Sequence, residues 1–149
     1  MIPPVPLSLK EIGVYHGMSR TKDGEYNLSF ETALWYELGK KTSAIFHRRA
    51  GEPIYAFSSV FAPTRLDTEI VHHWYYFDEG KGNWVSSNLV NFPISGGRDG
   101  GYRGYSVKEN TLPGKWRVDV ETPRGQIIGR FGFEVVDIAE TPLITTETR

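Results

Sequence analysis

"PGKWRVDVETPRGQIIGRFGFEVV", residues 113–136, decides the fold. Successive side chains of an extended strand point to opposite faces. Trp116, Val118 and Val120 therefore point one way, and Lys115, Arg117, Asp119 and Glu121 the other. Thr122-Pro123-Arg124-Gly125 comes next, with Pro second and Gly fourth, which suits a type I turn. On the return strand Ile127, Phe131, Phe133 and Val135 share a face. This is an amphipathic hairpin with one dry side and one wet side, as antiparallel sandwiches have.

The chain upstream repeats the same grammar. "SAIFHRR", "IYAFSSVFAP", "TEIVHHWYYF", "WVSSNLVNFPI" and "YRGYSVKE" are strand-like runs, each closed by Gly, Pro, Asp or Asn. Short strands at this regular spacing indicate an all-β fold, an antiparallel β-sandwich of immunoglobulin-like or jelly-roll-like type. In "IYAFSSVFAP", Tyr55, Phe57, Ser59 and Phe61 alternate with Ile54, Ala56, Ser58 and Val60. Nearer the start, "VYHGMSRTKDGEYNLSF" alternates around Asp23-Gly24, a pair that closes hairpins. "SFETALWYELGKK", 29–41, admits two readings. One is a short helix near residues 30–38, capped by Ser29 and stopped at Gly39; the other is a bent strand pair. The implied organisation is a Pro-rich linker over residues 1–7, one domain over 8–136, and a Thr-rich, flexible tail over 137–149.

Composition narrows the function. At 149 residues and 39% hydrophobic, the chain has material for one core. Seventeen basic against eighteen acidic residues leave a net charge of −1, so a nucleic-acid partner is not expected. With no cysteine, disulfides, thiolate catalysis and Cys-based zinc sites are excluded. No run approaches the roughly 20 apolar residues that span a bilayer. "MIPPVPLSLKE" lacks the basic and apolar regions of a signal peptide.

"VHHWYYF", "GGYRGYSVKE" and "PGKWRVDVETPRGQIIGRFGFEV" together resemble the bacterial domain of unknown function 2914 family. Its pattern is similar to a His-x-Trp strand, then Tyr-Arg-x-x-Ser, then Gly-x-Trp-Arg-Val. The matching positions are His72 and Trp74, then Tyr102, Arg103 and Ser106, then Gly114, Trp116, Arg117 and Val118, within roughly residues 50–136. The resemblance implies a small β-sandwich of bacterial envelope proteins, placed on the periplasmic side after transmembrane helices. It implies no activity. The prolines at 3, 4 and 6 would suit a linker leaving such a segment, so any membrane contact would run through segments outside this chain.

Within "IVHHWYYF", residues 70–77, alternation puts Ile70, His72, Trp74 and Tyr76 on one face and Val71, His73, Tyr75 and Phe77 on the other. Adjacent histidines on opposite faces do not share an ion, so no metal site is expected. His72, Trp74 and Trp116 read as structural core, with His72 hydrogen-bonded. Arg103 and Arg117 read as arginines stacked on aromatic rings or paired with Asp119 or Glu121. "SGGRDGGYRGY" mixes arginines with tyrosines but has no phosphate-loop spacing. No nucleophile elbow or His-Glu-x-x-His occurs, and neither catalytic residues nor a cofactor are expected.

These observations point to a non-catalytic binding or accessory module that contacts another envelope protein or a glycan. Sugar recognition needs exposed aromatic faces with polar neighbours. The candidate ligand-binding residues are Trp35, Tyr36, His73, Tyr75, Trp84, Arg98, Tyr102, Arg103 and Tyr105. Trp84 stands out because it follows the turn "DEGKGN", where a ring stays partly exposed. An enzyme is the third reading and requires a carboxylate or histidine cluster in a cleft.

Overall fold

The computed structural model describes residues 7–23, 25–31, 43–49, 51–61, 66–96, 102–109, 111–139 and 144–148. Eleven strands run through them: β1 (Ser8–Tyr15), β2 (Gly17–Arg20), β3 (Tyr26–Glu31), β4 (Ser43–Arg48), β5 (Ile54–Phe61), β6 (Leu66–Asp78), β7 (Asn83–Gly96), β8 (Tyr102–Lys108), β9 (Gly114–Glu121), β10 (Ile127–Asp137) and β11 (Ile144–Thr148). The described residues form an all-β fold with no helix.

Two sheets make the sandwich, a five-stranded one in the order β4-β10-β9-β6-β7 and a three-stranded one in the order β1-β5-β8. Their facing rows supply the core. Phe46, Trp74, Trp116, Val118, Phe133 and Val135 of the larger sheet pack on Val14, Ile54 and Ala56 of the smaller. Ile70 and Val120 meet Val60 and Tyr102 beside them. Burying each large apolar side chain stabilises the fold by about 1.5–3 kcal/mol.

A third sheet, β11-β3-β2, lies on the back of the three-stranded one. Tyr26, Leu28 and Phe30 of β3 cover Phe57 and Tyr15 there. This explains why both faces of β5 read as apolar: Ile54 and Ala56 face one sheet and Phe57 the other, and all are buried.

The β9–β10 hairpin has the expected wet and dry faces, with two departures: Asp119 of the wet row is buried, and the return strand slips. Gly125 N–H donates to the Thr122 carbonyl at 2.9 Å, and Gly125 takes φ +88. A left-handed residue after a type I turn makes a three-residue hairpin loop. The pairing then slips between Ile127 and Gly129. A bulge of this kind changes which side chain turns inward. Ile127, expected on the core face, is 48% exposed, and Ile128 packs inward instead.

Three further details add to the expected organisation. Phe30 and Glu31, assigned to the helix reading, belong to β3; residues 32–38 lie outside the described residues. Within the tail region, β10 continues to Asp137, and Ile144–Thr148 pairs antiparallel with β3. The larger sheet is mixed, because β4 runs parallel to β10. The buried Arg48 anchors that parallel pair. Its Nε and Nη2 donate to Asp137 at 3.1 and 2.8 Å, and its Nη1 donates to Thr111.

Candidate functional site

The two histidines of "IVHHWYYF" do different work. His72 is fully buried between the facing sheets. Its Nε2 lies 2.7 Å from Ser58 Oγ on β5, and its Nδ1 2.8 Å from Ser106 Oγ on β8. Trp74 Nε1 donates to the same Ser106 Oγ at 3.0 Å. An indole only donates, so Ser106 accepts from Trp74 and its own proton is free for His72 Nδ1. His72 Nε2–H then donates to Ser58. This chain of hydrogen bonds clamps the three-stranded sheet to the five-stranded one. Burial pushes the His72 imidazole down to about 3, so it stays neutral. The atoms of a serine–histidine pair are present, but Ser58, His72 and Ser106 are sealed from solvent.

His73 points the other way, onto the outer face of the five-stranded sheet. There β6 and β9 lie side by side, with His73 opposite Asp119, Tyr75 opposite Arg117, and Val71 opposite Glu121. The β6–β7 pairing sets Tyr75 beside Ser86 and Phe77 beside Trp84. Side chains far apart in sequence thus share one surface. The His73 and Tyr75 rings stack at 4.0 Å. The Arg117 guanidinium sits 4.2 Å from the Tyr75 ring centre and 4.9 Å from that of Trp84. Trp84 meets Phe77 edge-on at 5.2 Å. The result is a ladder of planar groups, His73–Tyr75–Arg117–Trp84, held by cation–π and stacking contacts.

Charges brace the ladder. His73 Nδ1 lies 3.0 Å from Glu121 Oε2, and its Nε2 lies 2.7 Å from Ser86 Oγ. Asp119 is buried and accepts two hydrogen bonds from Arg130, at 2.9 and 3.1 Å. Arg117 Nε approaches the same carboxylate at 3.1 Å without hydrogen-bond alignment, so that contact is purely ionic. The hydrogen bond to Asp119 holds the Arg130 pKa above its ordinary value. Burial, then the Glu121 and Asp119 charges, raise that of Tyr75.

Beside the ladder lies the sheet's edge. β7 pairs with β6 alone among the described strands, and its sequence, NWVSSNLVNFPISG, holds no charged residue. Every residue from Asn83 to Leu89 is exposed, including Trp84, Val85 and Leu89. A β-bulge falls opposite Trp74 and Tyr75, and Pro93 interrupts the far end. Both features blunt an edge; β7 carries no lysine of its own, and Lys108 Nζ reaches it from β8, donating to Asn88 Oδ1 at 2.8 Å.

The structure gathers His73, Tyr75 and Trp84 at this face. It does not bring Arg103 and Tyr105 there. They lie on the back of the three-stranded sheet, where Tyr105 is 44% exposed and 6.4 Å from the Tyr55 ring. Tyr102 leaves the candidate set: its position alternates with Arg103, so it packs inward against Val60, Ile70 and Val120. Trp35, Tyr36 and Arg98 lie outside the described residues. Trp74 and Trp116 are buried, and Trp116 Nε1 donates to the Leu112 carbonyl at 2.7 Å. Sequence reasoning missed Ser86, Arg130 and the joint role of Asp119 and Glu121. The alternation of β9 showed its wet row, but only the β6–β9 pairing reveals what that row touches.

An open groove of about 710 Å³ lies at the end of the larger sheet, lined by Tyr76, Phe77, Asp78, Glu79, Gly114, Glu134 and Asp137 among others. Asp78 accepts a hydrogen bond from the Lys81 backbone, and Asp137 is held by Arg48. Among the described residues no group of three or more His, Cys, Asp or Glu side chains is arranged to hold a metal. No described helix is long and apolar enough to cross a membrane.

Comparison with solved structures finds distant likenesses. A Pseudomonas fluorescens alkylpurine DNA glycosylase, bound to DNA containing an abasic-site analogue, is 15% identical with a TM-score of 0.47; the match covers 90% of this chain and 31% of that one. An immunoglobulin-like protein from Pseudomonas aeruginosa is 12% identical with a TM-score of 0.42, covering 87% and 96%. A Listeria innocua beta-glucosidase is 14% identical with a TM-score of 0.38, covering 60% and 14%. This chain therefore spans under a third of the glycosylase and about a seventh of the glucosidase. No curated protein matches it. The family profile described as "Protein of unknown function (DUF2914)" matches residues 67–135, from β6 to the end of the β10 core row. Over that segment, which holds His72, Trp74, Ser106, Trp116 and Arg117, the chain is similar to the DUF2914 family.

Proposed function

We propose that this domain is a non-catalytic accessory module of a bacterial envelope protein, and that it docks another protein along β7 and the adjoining ladder face. The observation that carries this is the edge itself. It is uncharged over its full length, exposed on both faces from Asn83 to Leu89, and flanked by a rigid row of stacked aromatic and ionic groups. An open strand offers unpaired backbone donors and acceptors to an incoming segment. The ladder is pre-organised, so little side-chain entropy is lost on contact. The envelope placement rests on the family resemblance. The absence of catalysis is part of the proposal, and it is supported by the sealing of the Ser58–His72–Ser106 chain.

The test is retention of envelope proteins, solubilised in mild detergent, on the immobilised domain. Leu89→Lys and Trp84→Ala are compared with the parent after circular dichroism shows their fold intact. The parent is expected to retain a defined protein that both variants lose. Equal retention by parent and variants contradicts the proposal.

A second reading, carbohydrate binding, is favoured by one observation. Tyr55 and Tyr105 form an aromatic surface on the opposite side of the molecule, and Tyr105 is 44% exposed. On the ladder face the corresponding rings are already occupied. Tyr75 is stacked by His73 and Arg117, and Trp84 by Arg117.

A further inference from the structure

Two arginines converge on one ring at the back of the molecule. Arg20 stands directly across from Tyr26 in the β2–β3 pair, and Arg103 reaches over from β8 in another sheet. Each guanidinium carbon lies 5.6 Å from the Tyr26 ring centre. The charges on the adjoining turn are Lys22, Asp23 and Glu25, and none of them forms an ion pair with either arginine. Among the described residues no hydrogen bond to either arginine occurs.

The ladder face shows how the chain settles the same problem elsewhere. There Arg117 and Arg130 also converge, and the buried Asp119 lies between them. At Tyr26 both cations contact one ring, and among the described residues neither forms an ion pair with a carboxylate. An oxyanion reached by both arginines gains charge-assisted hydrogen bonds from two guanidinium groups that have none from the described residues. Tyr105 stands beside Tyr26, with ring centres 6.1 Å apart, and is open to solvent. Its face suits the apolar side of a sugar ring.

We infer that Arg20, Tyr26, Arg103 and Tyr105 form a binding site for an anionic polysaccharide. A carboxylate, sulfate or phosphate substituent is held between the two guanidinium groups, and its sugar ring packs on Tyr105. This rests on the carbohydrate reading and narrows it to a charged class; it is independent of docking along β7.

Affinity electrophoresis of the whole chain tests it, with neutral dextran, dextran sulfate, polygalacturonate and single-stranded DNA as the probes. Dextran and dextran sulfate share a backbone, so they isolate the charge. Arg20→Gln, Arg103→Gln and Tyr105→Ala are compared with Lys81→Gln, an exposed charge far from the site. The site predicts retardation by an anionic polysaccharide but not by dextran, weakened about tenfold by each site substitution, unchanged by Lys81→Gln, and relieved by salt. Three results overturn it. Retardation by dextran that only Tyr105→Ala relieves keeps carbohydrate binding and removes the anion site. Retardation that every charge variant relieves alike, or that is stronger for DNA, marks unspecific attraction. No retardation by any polysaccharide removes both readings.

Discussion

Ser106→Ala probes the clamp between the sheets. The substitution removes one buried oxygen with almost no loss of apolar volume, so cavity terms stay small. It leaves two groups unpaired: the Trp74 indole N–H, 3.0 Å from that oxygen, and His72 Nδ1, 2.8 Å from it. A buried polar group stripped of its partner costs about 1–3 kcal/mol, so the expected loss for two is about 2–6 kcal/mol. Against a total stability of about 5–15 kcal/mol for a domain, that loss is readily measured. Urea denaturation followed by tryptophan fluorescence is the assay, with the midpoint expected to fall at unchanged slope. A loss below about 0.5 kcal/mol, within the range of ordinary surface changes, would refute the clamp. The pH dependence gives a second reading of the same network. His72 is lowered to about 3 in the fold and titrates near 6.5 when unfolded. Between those values the unfolded chain binds a proton that the native state refuses. Stability should therefore be fullest above pH 6.5 and fall by about 1.4 kcal/mol per pH unit on acidification toward 3. In His72→Gln this contribution to the slope should vanish.

Gly129→Ala should destabilise the fold by about 1–3 kcal/mol, because its Cβ would stand 2.3 Å from Leu9 Cδ2 and 3.1 Å from Leu9 Cγ; thermal denaturation reads this out, and Leu9→Ala in the same chain should restore part of the loss. Replacing both Arg117 and Arg130 by Gln leaves Asp119 buried without a cation, at an expected cost of about 3–5 kcal/mol, whereas either single substitution should cost much less; urea midpoints of the three variants check this non-additivity. Tyr15, raised to about 12 chiefly by burial, should ionise after the exposed tyrosines in an ultraviolet titration.

Local alternation made much of this fold legible. The β9 rows needed only their own residues, because Trp116, Val118 and Val120 cannot all be wet. The division of "IVHHWYYF" into two faces followed from the same rule. What stayed hidden depends on contacts between distant segments. Nothing local to "QIIGRF" announces the bulge that exposes Ile127 and turns Ile128 inward. β11 carries Ile-Thr-Thr-Glu-Thr, with no apolar row, so only its pairing with β3 marks it as a strand. Tyr102 looked available beside a glycine-rich loop, yet its parity with Gly104 and Ser106 turns it inward. The ladder needed the β6–β9 register, which brings Tyr75 against Arg117. The residues that carry the family pattern divide in the same way. His72, Trp74, Ser106, Trp116 and Val118 build the interior, while Arg117 faces outward into the candidate site. A signature made mostly of interior residues identifies a fold more than an activity.

The central claim is that β7 is a protein-docking edge, and photo-crosslinking from within it tests that claim most directly. A photoreactive amino acid at Leu89, introduced into the protein in cells, is compared with the same residue at Ile45, which is exposed on the opposite edge strand β4. The account predicts a discrete crosslinked product from position 89, competed away by added purified domain, and none from position 45. Equal labelling from both positions, or none from 89, would contradict it.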